Sequence, residues 1–491
     1  MTNVGIWRRI QAVATVTATA LALTIASCGT GQSGGILAGS SAVDITPQNW
    51  PLPMIGSFRY RPATSAHDPL RSRALALRSG DSTVAIAVVD SCYIPRETVD
   101  KAKRLVEDEI GLGAERILVA ATHTHSAPPA APGAGLRGLE PEASLANERA
   151  YFERLVKGIA SSIIESVSRL EPAEVGWATA SLPDEVFNRR WYMKDGAIPP
   201  DPFGGTTDRV RMNPPAASPD LVRPSGPIDP EVVVLSVRSE DGTPIALLAN
   251  YSLHYVGGIP AGQVSADYFG EFARIVQERL GAGDEFVGIL SNGTSGNINN
   301  IDFKNRRVRK EPFEQIRHVA SKLADEAIAA YEGVSHASTL EVDMAQSELS
   351  LARRKPSAEI LERSKALLAD PPDAASVRER IYAQRAVVLE EGPDEVAVVL
   401  QALRIGELGI VSLPFETFVE TGLAIKSKSP LSPSFAISLA NGGEGYLPTP
   451  EHHALGGYET WLGTSRVEEQ ASIKVEAELL TLLDRVTSEG L

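Results

Sequence analysis

Two of the chain's eight histidines stand together in Ala121-Thr122-His123-Thr124-His125-Ser126, directly after the apolar run Ile117-Leu118-Val119-Ala120-Ala121. The run reads as a buried strand. An i, i+2 spacing on extended chain points both rings to one side, where two imidazoles can meet one metal ion or one ligand. A third imidazole, His254, closes Asn250-Tyr251-Ser252-Leu253-His254, again at a strand's end. Glu416 follows the apolar stretch ending at Leu413; taken alone, it reads equally well as a carboxylate at the start of a helix. The turn-rich Ala440-Asn441-Gly442-Gly443-Glu444-Gly445-Tyr446 presents a tyrosine, and its composition alone fits a packed loop. Imidazole, carboxylate and phenolic oxygen are all acceptable zinc ligands, and strand ends opening into loops are where α/β sheets place their sites.

The elements that must position these groups read as an α/β domain with mixed sheets, because short β-branched runs alternate with helical patterns. Strands are expected at 84–89, 117–121, 232–235 and 245–250, near 398–412, and at 435–440. Helices are expected at 96–110, 151–170, 267–280, 313–331 and about 466–488. Segment 182–230, rich in Pro, Gly and Arg, reads as a long ordered loop or lid. Segment 356–391, broken by Asp370-Pro371-Pro372-Asp373, reads as an inserted helical hairpin. Cys92 is expected as a small buried hydrophobe. Asp68 and Asp267 read as partners orienting metal-bound histidines, with a helix cap the other reading of Asp267. His452 and His453 read as exposed loop histidines rather than a second metal site. Trp191 and Tyr192 either line an acyl pocket or pack.

A net charge of −15 and a pI near 5.2 disfavour nonspecific binding to nucleic acid. At the N-terminus, Arg8 and Arg9 precede an apolar run from Ile10 to Ala26, and Ile25-Ala26-Ser27-Cys28 places small residues before a cysteine. This is the pattern of a bacterial lipoprotein signal over 1–27, with Cys28 acylated, a flexible tether over 28–39, and a catalytic domain over 40–491. The protein is therefore expected to be exported and anchored to a membrane of the cell envelope through Cys28.

Several stretches together resemble the catalytic domain of the neutral, non-lysosomal ceramidases. They are Ala42-Val43-Asp44-Ile45-Thr46-Pro47, His67-Asp68-Pro69-Leu70, Thr122-His123-Thr124-His125-Ser126, Phe187-Asn188-Arg189-Arg190-Trp191, Ser265-Ala266-Asp267-Tyr268, Gly296-Asn297-Ile298-Asn299 and the loops of Glu416 and Tyr446. The resemblance implies one zinc ion per chain, held by His123, His254, Glu416 and Tyr446. It also implies that His125 faces the substrate and that Arg189 donates to substrate or to developing negative charge. The implied activity is zinc-dependent hydrolysis of an amide C–N bond, of ceramide or another N-acylated lipid, by zinc-activated water. Two departures bear on the substrate. The ceramidase motif Gly-Asp-x-Ser-Pro reads Gly296-Asn297-Ile298-Asn299-Asn300 here, so Asn299 can donate a hydrogen bond but cannot be a nucleophile. No C-terminal immunoglobulin-like domain is expected. A zinc hydrolase of a non-lipid amide or ester, and a surface lipoprotein that binds a ligand without turnover, remain the alternatives.

Overall fold

Strand Ser82–Val89 shows how the layers arise from sequence. Val84, Ile86 and Val88 point to one face and Ala85, Ala87 and Val89 to the other, and all six are buried, so both faces of the sheet must be covered. In this computed structural model the described residues are 35–488, apart from 57, 59, 134–141 and 371–375. The expected lipoprotein signal and the first part of the expected tether lie outside them.

Among the described residues the largest sheet has eight strands. In spatial order they are Val287–Asn292, Pro244–Tyr251, Glu231–Ser239, Glu171–Ser181, Leu37–Asp44, Arg71–Ser79, Ser82–Val89 and Ile117–Ala121. The pairs at its two edges are parallel and the pairs between them antiparallel. A second sheet orders Val342–Ala352, Glu395–Ile405, Leu408–Leu413 and Ser434–Ser438, with the last pair parallel. The two sheets pack face to face through Val84, Ile86 and Val88 against Leu403, Ile410 and Ile437.

Helices cover the outer faces. Arg96–Ile110 and Glu142–Ser168 lie over Ala85, Ala87 and Val89. Asp267–Leu280 and Glu314–Glu332 lie over Val232, Val234 and Leu247 through Phe269, Phe272, Val319 and Leu323. Ala471–Ser488 covers Val398, Leu400 and Ala402 of the second sheet. The result is a four-layer helix–sheet–sheet–helix sandwich of mixed α/β type.

Segment 182–230 is not a bare loop. It carries Phe187–Asn188 and a small sheet of Arg190–Met193 between Val210–Met212 and Leu221–Pro224. Short strands alternating with Pro and Gly give too few consecutive β-formers for their pattern to emerge from sequence. In segment 356–391, helices Ala358–Ala369 and Val377–Glu391 pair, the second opened by a capping box of Ser376 and Glu379.

Candidate metal centre

The three parallel strand pairs point their C-terminal ends at one place. Val89 and Ala121 are partners in the first pair, Tyr251 and Asn292 in the second, Leu413 and Ser438 in the third. Chain leaving these ends carries Cys92 and His123, then His254 and Ser295, then Glu416 and Tyr446. Glu416 and Tyr446 are themselves brought opposite each other by a further parallel pairing, Glu416–Thr417 with Tyr446–Leu447.

In the first two pairs one strand supplies a histidine and its parallel neighbour fixes that ring. His123 Nδ1 is 2.7 Å from the Cys92 carbonyl, and His254 Nδ1 is 2.9 Å from the Ser295 carbonyl. A carbonyl can only accept, so each Nδ1 carries a proton and each Nε2 is the nitrogen turned toward the other groups of the centre. The two Nε2 atoms face each other at 2.9 Å. Glu416 Oε2, buried and without a hydrogen-bond donor, lies 3.3 Å from His123 Nε2 and 3.6 Å from His254 Nε2. Such a cluster needs positive charge at its centre: without a metal a proton on His123 supplies it, and a bound metal ion would take that proton's place. Zinc–nitrogen bonds of about 2.0–2.1 Å in a tetrahedron place donor atoms roughly 3.3 Å apart, so these donors fit a zinc ion. His123 is held with φ +76°, a left-handed conformation costly for a residue with a side chain, and its amide donates to the Ser91 carbonyl at 2.8 Å.

The electrostatics follow from burial and neighbours. Burial would lower the His123 pKa, but Cys92 and the Glu416 carboxylate more than offset it and bring it up to about 10. Burial raises Glu416, yet His123 and Tyr446 hold it below the usual carboxylate value. Burial, then Arg189, keeps His254 well below the ordinary imidazole value, and burial, then His123, does the same for His125. Burial pushes the Tyr446 phenol well above its ordinary value, so it stays protonated at neutral pH.

His125 completes a trio of convergent imidazoles. Its Nδ1 is 3.1 Å from the Gly56 carbonyl, its Nε2 is 3.2 Å from His123 Nε2, and its ring stacks on Tyr255 at 3.8 Å between centroids. Unlike His123, it faces a pocket of about 230 Å³ lined also by Gly56, Arg61, Tyr255 and Gly257.

Arg189 lies behind the trio. Its NH2 group donates to the Gly296 carbonyl at 2.7 Å and to the Tyr446 hydroxyl at 2.9 Å, and its NH1 is 3.3 Å from His254 Nε2. Its Nε donates to Glu459 at 3.1 Å, and the other oxygen of that fully buried carboxylate takes Arg190 at 2.6 Å. Asn299 makes no hydrogen bond with the metal-centre residues: its amide donates to Asn213 and its oxygen accepts from the Ile301 amide. The structure thus brings His123, His125, His254, Glu416, Tyr446 and Arg189 together, and gives Asn299 no hydrogen bond to any of them.

Other expected positions resolve individually. Cys92 is buried with Sγ 3.8 Å from His123 Nδ1, a packing surface for that ring. Asp267 accepts from the amides of Val256, Gly257 and Tyr268, so it pins the loop after His254 rather than touching the ring. Asp68 accepts from Ser265 Oγ and the Ala266 amide. His452 is not an exposed loop residue. It sits on the short helix Pro450–Leu455, only 5% exposed, with Nε2 2.9 Å from Glu420. Trp191 packs on Phe303, and Tyr192 lies under the Arg223 guanidinium. Sequence reasoning missed Glu459, and it missed Tyr458, whose ring stands 5.8 Å from that of Tyr446. Nothing in Gly457-Tyr458-Glu459-Thr460 marks either residue, since their partners lie far along the chain.

No family model and no curated protein matches the chain. Among solved structures it is similar to the crystal structure of neutral ceramidase from Pseudomonas aeruginosa, at 17% identity and a TM-score of 0.68 over 92% of this chain and 75% of that one. It is likewise similar to a ceramidase complexed with C2, at 16% identity and a TM-score of 0.68 over 93% of this chain and 76% of the other. Likeness at such identities is one of architecture, and in its four layers this chain has the fold of the neutral ceramidases, the family its motifs resemble.

Proposed function

We propose that the chain is a zinc-dependent amidohydrolase that cleaves the C–N bond of an N-acylated substrate, with ceramide or another N-acyl lipid as the class to try first. The observation that carries this reading is the convergence of His123 Nε2, His254 Nε2 and Glu416 Oε2, three atoms able to ligate one metal ion. His123, His254 and Glu416 would hold the ion, with Tyr446 beside Glu416. When bound, zinc supplies hydroxide from water at neutral pH and polarises an acyl carbonyl.

The chain's own residues do the rest. His125, neutral and open to the pocket, accepts a proton from the attacking water and passes it to the departing amine nitrogen. Tyr446, protonated and oriented by Arg189, donates to the oxyanion that forms on the carbonyl. Arg189 adds fixed positive charge behind it. Asn299 contributes indirectly, donating to Asn213, whose amide in turn donates to the Arg189 carbonyl. The lipobox-like Ile25-Ala26-Ser27-Cys28 supports export and anchoring through an acylated Cys28, which the mass of the mature protein's N-terminal peptide tests.

The deciding experiment is a panel of fluorogenic N-acyl and O-acyl substrates, ceramide among them, on zinc-loaded and chelated protein. Amide turnover that disappears with chelator and returns with zinc is expected. Turnover indifferent to chelator would sink the reading.

A further inference from the structure

The pocket in front of His125 carries a guanidinium in its wall. Beside the imidazole it is walled by the Arg61 guanidinium, Tyr255 and the glycines at 56, 257 and 258. Its volume of about 230 Å³ is below the roughly 300–1,000 Å³ of pockets that bury a drug-sized ligand. Arg61 spends its NH2 group on two carbonyls, those of Ile55 at 3.1 Å and His125 at 3.0 Å. Those bonds fix the guanidinium against the backbone of the proton-transferring histidine. Its Nε is buried with no hydrogen-bond partner, and no carboxylate among the described residues pairs with it. A half-buried guanidinium without a counter-ion, lining a small pocket, is a ready acceptor for an anion.

A second feature points the same way. The rim residue Gly258 accepts a hydrogen bond from the Phe313 amide at 3.2 Å. Phe313 ends an exposed loop carrying Lys304, Arg306, Arg307, Arg309 and Lys310. The three arginines have no acidic partner among the described residues. On a chain of net charge −15 this loop places a local positive field near the mouth, which would draw in an anionic molecule and repel a cationic one.

We propose that the pocket is an anion subsite centred on Arg61, and that the substrate is an N-acyl amide bearing a carboxylate close to the scissile bond, as an N-acyl amino acid does. The proposal rests on the amide-cleaving reading only for the identity of the reacting bond. The anion site stands on Arg61 and the pocket, and binding alone can test it.

N-acetylglycine and N-acetylglycinamide, alike except for the charge, are titrated calorimetrically into chelated protein, so that no metal can capture the carboxylate. Wild type is expected to bind the acid about tenfold or more tightly than the amide, as charge-assisted hydrogen bonds require. Arg61→Gln is expected to bind the two equally, and Arg61→Lys to keep part of the preference. Equal binding of both probes by wild type would overturn the proposal, as would a preference undiminished in Arg61→Gln. Turnover of N-lauroylglycine by zinc-loaded enzyme is followed separately. An Arg61-dependent preference for the acid, with no amide cleaved, supports the subsite and removes the hydrolase reading instead.

Discussion

Removing one imidazole tests the metal centre more sharply than any activity assay. In the folded chain the His123 and His254 Nε2 atoms stand 2.9 Å apart, with Glu416 Oε2 3.3 and 3.6 Å away, so an ion bound there would tie together three strand ends. Zinc at a hundredfold excess over its dissociation constant stabilises the folded state by about 2.7 kcal/mol. Unfolding entropy of about 2.1 cal/mol/K per residue, over the roughly 450 residues of the unit that begins at Gly34, comes to about 1 kcal/mol/K. Zinc should therefore raise the Tm of chelated protein by about 3 °C, and by about 4 °C at a thousandfold excess. The assay is calorimetric melting of chelated and zinc-loaded protein, with metal counted by plasma mass spectrometry. His123→Ala is expected to abolish both the shift and the bound zinc. His125→Ala, at a residue whose ring faces the pocket, is expected to keep both while losing turnover. A full shift with one zinc per chain in His123→Ala would refute the reasoning, because the ion would then be held without His123.

Three further perturbations follow from the geometry around the centre. At Gly56 (φ +84°) an added Cβ would fall 2.4 Å from His125 Nδ1, so Gly56→Ala should displace that ring and lower kcat while leaving zinc content intact; unchanged kinetics would count against His125 as the proton carrier. Glu459 is the shared partner of two buried guanidiniums, and loss of a partner from a buried ion pair costs about 3–5 kcal/mol. Glu459→Ala should therefore show a cost of that order in urea unfolding and reduce turnover through the loosened Arg189, an outcome that a neutral result in both measurements would contradict. Asp267 is raised to about 6 from 3.8, burial outweighing the three amide hydrogen bonds that favour its anion. An acid with a raised folded-state pKa binds more protons folded than unfolded, so its contribution to stability declines as pH rises from about 4 to about 6 and is flat above. Asp267→Asn should remove that decline from the pH dependence of unfolding, and an unaltered slope would show that Asp267 does not titrate there.

How far the site could be read from sequence depends on which part of each residue does the work. Side-chain type at a strand end is a local signal that marks His123, His254 and Glu416 as candidates, and the resemblance to the neutral ceramidases is what joins them into one ligand set. The carbonyls of Cys92 and Ser295, which set the tautomers of the two histidines, are backbone groups that any residue would offer, so no pattern marks them. Neither does any pattern mark Glu459, whose partner Arg189 lies 270 positions earlier. The same holds for the fold. Ser82–Val89 and Pro244–Tyr251 show their apolar runs openly. Leu37–Asp44, reading LAGSSAVD, and Glu171–Ser181, reading EPAEVGWATAS, owe their place in the sheet to neighbours on either side. The His-x-His pair converges, but by a different geometry from the one its spacing suggests. Its rings were expected on one side because an extended chain repeats every two residues, but the strand ends at Ala121 and His123 turns through φ +76°. The two rings lie at 90° to each other with Nε2 atoms 3.2 Å apart. That turn sets the two rings in different surroundings: it sends His123 inward to meet His254 and Glu416, and leaves His125 stacked on Tyr255 at the pocket wall. A regular strand would have presented two equivalent rings, with nothing in their surroundings to tell them apart.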